Sequence, residues 1–335
     1  MGEIRCGQEG LGAFRRALRQ AFLYELWQGL RRQPADLLPF DLVATALRLY
    51  NRTFIGVREI PCRMIVGSVD RAGDFTRNYL PRRDYLQIRW CRVYTMIAQQ
   101  GFEPISVFKV SNIYFVNDGN HRLSVLRSYH TETVEAEVTE FACRVPLGPD
   151  LRISDLARKA AYAEFLEQTN LDEERPEQSI ELSLPASYRK LEEHVAGHAY
   201  WLEYTSGQPV SPYRAAASWY DLVYKPTIEL IRAKNLLRDF RGLREADLYI
   251  GATEHHRQVV RGLGRRVPLE VTLEHYRATA ARPRIRRLWY RLTRRQALKL
   301  GGEPAAQKQR TGSDRLFRVL PTRHQEQHSD DAGEN

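Results

Sequence analysis

The segment Asp118-Gly119-Asn120-His121-Arg122 places a carboxylate, an amide, an imidazole and a guanidinium group within five positions. Side chains of these types can bind an anion or transfer a proton. The segment follows a short apolar run at 112–117 and precedes a run with helical spacing, so the backbone amides after Gly119 are expected at a helix N-terminus. Such amides have no acceptor within the helix, and the positive end of the helix dipole lies there. Gly119 lets the backbone turn sharply and approach a ligand without a Cβ in the way. The segment therefore predicts a phosphate-binding site.

The side chains of this segment suggest a role for each residue. Arg122 could grip phosphate oxygens in a fork, and His121 could donate a hydrogen bond or move a proton. If the site is an enzyme, the predicted catalytic residues are Asp118 and His121. The predicted binding residues are Gly119, Asn120, His121, Arg122 and Ser124. The alternative interpretation is a plain turn, in which Asn120 caps a helix and Arg122 is a solvated residue of its first turn.

Regular patterns on either side of this segment predict the elements that position it. A strand is expected from Ile60 in IPCRMIV, and the polar stretch that follows is expected to be a long loop of functional importance. The other predicted elements are a helix over 83–100, two short strands at 104–110 and 112–117, a helix over 121–130 and a half-buried strand at 134–141.

The order of these elements and their motifs resembles the ParB/sulfiredoxin superfamily. The matching stretches are GVREIPCRMIV, QQGFEPISVFKV, IYFVNDGNHRLSVLRSYH and VEAEVTEF, which cover roughly a quarter of the chain. Members carry G-E-R-R in partition proteins, G-C-H-R in sulfiredoxins and D-G-H-H-R in free serine kinases, and residues 118–122 are nearest to the last form. Asn120 replaces the cysteine that sulfiredoxin chemistry needs, and His121 replaces an arginine of the partition proteins.

This resemblance implies a nucleotide as ligand, namely CTP, ATP or ADP, with Mg²⁺ as a further expected component. The leading hypothesis is a nucleotide- or phosphate-responsive ParB-like protein that works on or near DNA as a regulator. A second hypothesis is an enzyme, either a nucleotide hydrolase or a phosphotransferase that acts on a small hydroxylated metabolite. It would need a second acid, for which Glu59 and Asp74 are the candidates. A third is a noncatalytic protein-interaction module.

Composition narrows the class of protein. The net charge of +10 and pI of about 9.5 indicate a polyanionic partner, and much of the excess charge lies between Arg282 and Lys299. No apolar run reaches the ~20 residues that cross a bilayer, so we expect a cytoplasmic protein without a membrane span. The four cysteines form no C-x-x-C pair, which argues against a zinc ribbon or a disulfide framework. His194 and His198 lack a third ligand, so no metal site is expected.

The chain as a whole is predicted to be an α+β protein, with a small mixed-sheet domain flanked by helical regions. The first predicted helix, over residues 11–32, has Phe14, Leu18, Phe22 and Trp27 at near-helical intervals, and a second follows from Pro39 to Tyr50. We also consider a homodimer. The expected parts are a helical segment at 1–50, the ParB/sulfiredoxin-like domain at 51–145, a helical domain at 146–290 and a basic, disordered tail at 291–335.

Overall fold

A computed structural model describes residues 7–280 of the chain. The chain divides into two compact units, and the boundary falls between Ala163 and Glu164. The predicted α+β class is confirmed, because the structure combines a six-stranded mixed sheet with flanking helices. The predicted tail at 291–335 and the basic run from Arg282 to Arg295 lie outside the described residues.

The first unit contains the sheet and the helices that pack on it. Its strands are β1 (Leu38–Pro39), β2 (Arg52–Pro61), β3 (Ile65–Ser68), β4 (Ile105–Val110), β5 (Ile113–Asp118) and β6 (Thr133–Phe141). Its helices are α1 (Gln8–Arg31), α2 (Phe40–Leu47), α3 (Gln87–Gln100) and α4 (Asn120–Ser128). The strands lie in the order β1-β3-β5-β4-β6-β2. The pairs β1–β3, β3–β5 and β4–β6 are parallel, and the pairs β4–β5 and β2–β6 are antiparallel.

The hairpin at the centre of the sheet is the predicted one. β4 and β5 are joined at Ser111, which takes a left-handed φ of 54°. Val107 on one face of this hairpin and Phe115 on the other are both fully buried. Helices α1, α3 and α4 pack on this sheet unit, where the ring of Phe14 meets Trp90 edge-on at 5.6 Å. The first unit therefore includes both the predicted N-terminal helices and the predicted sheet domain.

The strand predicted from Ile60 is wrong in its bounds. This segment contains the end of β2, a 3-10 turn at Cys62–Met64 and then β3. β2 lies at the edge of the sheet, and only Ile60 among its ten residues is buried. An edge strand that faces solvent on both sides lacks the alternation of apolar and polar residues that marks a half-buried strand. Its place is set instead by backbone pairing with β6.

The second unit is helical. The helix α5 (Leu156–Thr169) contains the boundary, and the helices after it are α6 (Leu171–Glu174), α7 (Tyr188–Ser206), α8 (Pro212–Trp219), α9 (Lys225–Ala233), α10 (Glu245–Leu263) and α11 (Leu269–Ala280). In its core, Trp219 Nε1 donates to the Tyr249 hydroxyl at 3.0 Å. Between residues 7 and 280, no helix combines the length and apolar character that a membrane crossing requires.

The histidine pair of α7 forms no metal site in the described residues. His194 and His198 of α7 take different partners, since His194 Nδ1 lies 3.1 Å from the Tyr249 hydroxyl and His198 Nε2 lies 2.9 Å from Ser218 Oγ. Both histidines therefore take part in helix packing.

Among the cysteines, Cys62 and Cys143 are free thiols. Cys91 is disulfide-bonded, which differs from the expectation from the sequence.

Candidate anion-binding site at the start of helix α4

The turn into α4 consists of Gly119 alone, because β5 ends at Asp118 and α4 begins at Asn120. Gly119 has φ 98° and ψ 17°, a left-handed conformation that favours glycine. A Cβ at this position would lie 2.6 Å from Ile105 Cγ2, so the turn also requires the absence of a side chain. The predicted succession of strand, glycine turn and helix is confirmed.

The backbone amides that follow this turn are oriented as an anion site requires. The first hydrogen bond at this end of the helix joins the Leu123 N–H to the Gly119 carbonyl at 2.9 Å. The amides of Asn120, His121 and Arg122 precede that bond and so have no acceptor within the helix. Since the positive end of the dipole of α4 coincides with them, this end of the helix can receive a negative charge.

Asn120 connects the helix to the strand beside β5. Its side chain is 9% exposed, and Oδ1 accepts a hydrogen bond from Ser68 Oγ at 2.9 Å. Ser68 is the last residue of β3, and its hydroxyl oxygen accepts the backbone N–H of Arg71 at 3.2 Å. Asn120 therefore holds the start of the long loop after β3 next to the N-terminus of α4.

His121 is the most unusual residue of the site. Only 7% of it is exposed, and its ring packs edge-on against Phe75 at 5.5 Å. Its Nδ1 is buried and has no hydrogen-bond partner among the residues that the structure describes. Burial, together with the positive charges of Arg89 and Arg71, lowers the pKa of His121 to about 4. Because a buried polar nitrogen is normally paired, a ligand or water oxygen is the expected partner.

Two arginines near this histidine were not predicted from the sequence. Arg71 lies in the loop after β3, Arg89 lies on α3, and both are exposed. Their positive charges add to the effect of burial in lowering the pKa of His121, which lies on the first turn of α4. The length of the polar loop indicated function, but no local pattern could relate Arg71 or Arg89 to residues more than thirty positions along the chain.

Arg122 has protein acceptors for its guanidinium group. Nη1 donates to the carbonyls of Glu103 and Pro104 at 3.1 and 3.0 Å, and Nη2 donates to Asp118 Oδ2 at 2.5 Å. These bonds tie the turn to the segment before β4. Arg122 thus supports the site by holding its backbone, while the fork predicted to grip phosphate is engaged within the protein.

The other predicted residues also have defined surroundings. Ser124 is fully buried, and its Oγ accepts the indole N–H of Trp90 at 3.0 Å. The side chain of Asp118 is 67% exposed and pairs with Arg122, whereas His121 packs on Phe75. The structure therefore places Asp118 and His121 among different neighbours.

Of the two candidate acids, only Asp74 acts on this site. Its charge raises the pKa of His121 in opposition to the arginines, and its carboxylate pairs with Arg71 at 3.2 Å and accepts the Tyr85 hydroxyl. That hydrogen bond is also the main cause of a raised pKa for Tyr85. Glu59 lies on β2, three strands from β5, which at the usual strand spacing is on the order of 14 Å away.

The lowered pKa of His121 predicts a pH-dependent stability. The unfolded chain binds a proton at this residue below about pH 6.5, whereas the folded chain does so only near pH 4. Stability is therefore fully present above pH 6.5 and falls as the pH drops towards 4, by at most about 3 kcal/mol. His121→Leu is expected to reduce this loss, and His130→Gln, at an exposed position, is the control.

Hydrogen exchange of amides in β5 and α4 measures this effect in the first unit alone. The comparison of each variant with the parent at the same pH removes the intrinsic effect of pH on exchange. Equal pH dependence in the parent and in His121→Leu would contradict the neutral, buried state of the histidine.

The fold and the site define a class of protein: an α+β protein whose mixed sheet leads through a glycine turn into the N-terminus of a helix next to two arginines. Neither the models of known protein families nor the curated proteins match the chain significantly. The resemblance to the ParB/sulfiredoxin superfamily therefore stays a prediction that depends on its motifs.

Proposed function

We propose that this protein is a ParB-like, nucleotide-responsive regulator that binds the phosphates of its ligand at the start of α4 and works on or near DNA. The observation that carries the proposal is the buried Nδ1 of His121, which has no partner in the described part of the chain. It lies on the first turn of α4, where the helix amides lack acceptors and the charges of Arg71 and Arg89 act.

The distribution of positive charge favours a ligand with several phosphate groups. Arg71, Arg89 and the helix N-terminus belong to three different elements, namely a loop, α3 and α4. A nucleoside di- or triphosphate, such as ADP, ATP or CTP, has several phosphate groups and the negative charge to match them. Mg²⁺, which prefers phosphate and carboxylate oxygens, would accompany such a ligand.

The proposed association with DNA is supported by the charge of the chain and by the superfamily resemblance. A net charge of +10 favours binding to a polyanion through release of its counterions. Such binding weakens steeply as salt rises, so retention on DNA at increasing salt concentration tests this part of the proposal separately. Binding that does not respond to nucleotide would leave the regulatory role without support.

A phosphotransferase is the second candidate, because Asp74 lies in the electrostatic environment of His121. A carboxylate beside bound phosphates could accept the proton of a substrate hydroxyl group. Turnover of ATP or ADP with small hydroxylated metabolites tests this activity, and Asp74→Asn should abolish it. Absence of turnover in the parent protein would leave the binding role alone.

A thermal-shift experiment tests the proposed ligand site directly. CTP, ATP, ADP and GTP are each added with Mg²⁺ to the full chain. A ligand at a hundred times its Kd stabilises the folded state by about 2.7 kcal/mol, which corresponds to roughly 5 to 10 °C for a unit of this size. The double variant Arg71→Ala and Arg89→Ala should lose this shift.

The matched control is Arg58→Ala, since Arg58 is an exposed arginine on the edge strand β2. It should keep the full response to the nucleotide. A shift that survives in the double variant, or no shift with any of the four nucleotides, would contradict the proposed site.

A further inference from the structure

The outward-facing side of α1 is strongly apolar in its second half. Five large side chains there are between 54% and 77% exposed: Phe22, Leu23, Leu26, Trp27 and Leu30. At 100° per residue these positions cover an arc of about 140°, which we call the outer face of α1. The opposite side of the helix holds Gly10, Ala13, Phe14, Ala17 and Ala21, which are buried. A continuous apolar surface of this kind on a helix is typical of a docking site.

The same arc is basic in the first half of the helix. Arg15, Arg16 and Arg19 are exposed there, about two to three turns before Leu26. At the other end of the helix, the guanidinium of Arg31 lies 3.4 Å above the ring of Trp27. The one acid in this half, Glu25, is paired with Arg82. The outer face therefore combines apolar and aromatic side chains with a net positive charge, because Arg15, Arg16 and Arg19 outnumber the exposed acid Glu9 of the first turn.

A groove of about 520 Å³ adjoins this face. Leu18, Phe22 and Leu23 supply apolar walls, and Arg19, Glu25 and Arg82 also line the groove. Arg82 is paired with Glu25 and Asp36, so Arg19 is the lining cation that has no ion pair in the described part of the chain. An apolar groove with an arginine at its side suits an amphiphile with an acyl chain and a negatively charged head group. The groove is continuous with the outer face, since Phe22 and Leu23 belong to both.

A second copy of the chain fits this face less well. The heptad positions 12, 16, 19, 23, 26 and 30 would form the seam of a helix pair, but Arg16 and Arg19 occupy its first half. A parallel pair would place like charges opposite each other. A full antiparallel pair would set these arginines against Leu23 and Leu26, so apolar contact alone would be limited to the last two to three turns of each helix.

We propose that the outer face of α1 docks this protein on an anionic lipid bilayer. Phe22, Leu26 and Trp27 enter the boundary between the head groups and acyl chains, and Arg15, Arg16 and Arg19 contact lipid phosphates. Helices that lie in a membrane interface combine aromatic and aliphatic side chains with arginines in this way. This binding is peripheral and is independent of the nucleotide site.

Flotation of the full chain with lipid vesicles tests the proposal. The protein should bind vesicles that contain phosphatidylserine much more strongly than vesicles of phosphatidylcholine alone, and added salt should weaken the binding. The double variant Leu26→Gln and Trp27→Gln should reduce partitioning by at least about tenfold. The triple variant Arg15→Gln, Arg16→Gln and Arg19→Gln should reduce it by about a hundredfold on the anionic vesicles.

Leu184→Gln is the matched control, because Leu184 is 64% exposed in the second unit, and it should leave the partitioning unchanged. All variants should keep the circular dichroism and melting temperature of the parent. No binding to anionic vesicles, or binding that both α1 variants retain, would overturn the proposal. A different result would also overturn it: the protein is a dimer that does not bind lipid, and the double variant Leu26→Gln and Trp27→Gln dissociates this dimer.

Discussion

Replacing Trp90 with Ala is expected to lower the free energy of unfolding of the first unit by about 4 kcal/mol. The indole of Trp90 is fully buried, meets Phe14 edge-on at 5.6 Å and stacks on Tyr94 at 5.6 Å. Its Nε1 also donates to Ser124 Oγ at 3.0 Å. Truncation therefore leaves a cavity where α1, α3 and α4 meet, and it removes a hydrogen bond from a buried hydroxyl.

Two further variants separate packing from hydrogen bonding. Trp90→Phe keeps most of the ring contacts and loses the indole N–H, so a smaller loss of about 1 to 2 kcal/mol is expected. Trp27→Ala is the control, since Trp27 is 54% exposed and its removal should change stability by less than about 0.5 kcal/mol. Urea denaturation, with hydrogen exchange of α3 and α4 as the local measurement, gives the values. A loss below about 1 kcal/mol for Trp90→Ala would show that the three helices pack differently.

Gly119→Ala is expected to lower the free energy of unfolding by about 3 kcal/mol and to remove the response to nucleotide. The left-handed backbone contributes about 1 to 2 kcal/mol of this cost for a residue with a Cβ. The contact with Ile105 Cγ2 at 2.6 Å contributes the remainder, because Ile105 is fully buried and overpacking costs about 1 to 3 kcal/mol. Relief of this contact would move the amides of Asn120 and His121, which is the physical reason for the loss of binding.

Two other glycines provide matched controls for the cost of the left-handed backbone and the cost of the contact with Ile105. Gly56 has a similar φ of 92° but open space where a Cβ would lie, and Gly73 has open space without a positive φ. Stability should therefore fall in the order Gly73→Ala, Gly56→Ala and Gly119→Ala, with Gly119→Ala the least stable. Denaturation gives the order, and the thermal-shift assay should show that Gly56→Ala keeps its nucleotide response. Equal losses at Gly56 and Gly119 would mean that the contact with Ile105 is relaxed at no cost.

Local patterns in the sequence determined the central part of the first unit. Val134, Ala136 and Val138 of β6 alternate with polar residues, and all three are buried as that alternation predicts. The tight turn at Ser111 and the glycine before α4 were also predicted. In each case the signal comes from neighbouring residues, because the periods of strands and helices and the φ preference of glycine are local properties of the chain.

Only the tertiary structure decided what surrounds the predicted motif. The charges of Arg71, Asp74 and Arg89 shift the pKa of His121 because the loop after β3, α3 and α4 come together in the fold. No local pattern in the sequence encodes how close these elements lie. The fork of Arg122 was predicted for phosphate, yet it holds the segment before β4. Which groups meet depends on contacts between residues that are far apart in the sequence.

The face of α1 that is buried also could not be predicted from local patterns in the sequence. Large side chains at helical intervals indicated a face built on Phe14, Leu18, Phe22 and Trp27, but Phe22 and Trp27 are exposed. The side that packs inward is formed mainly by Gly10, Ala13, Ala17 and Ala21. A Cβ on Gly10 would lie 3.5 Å from Tyr94 and 3.7 Å from Cys91, so small residues let α1 approach α3 closely. Hydrophobicity alone predicted an amphipathic helix, and the shape of its neighbour selected the face that is buried.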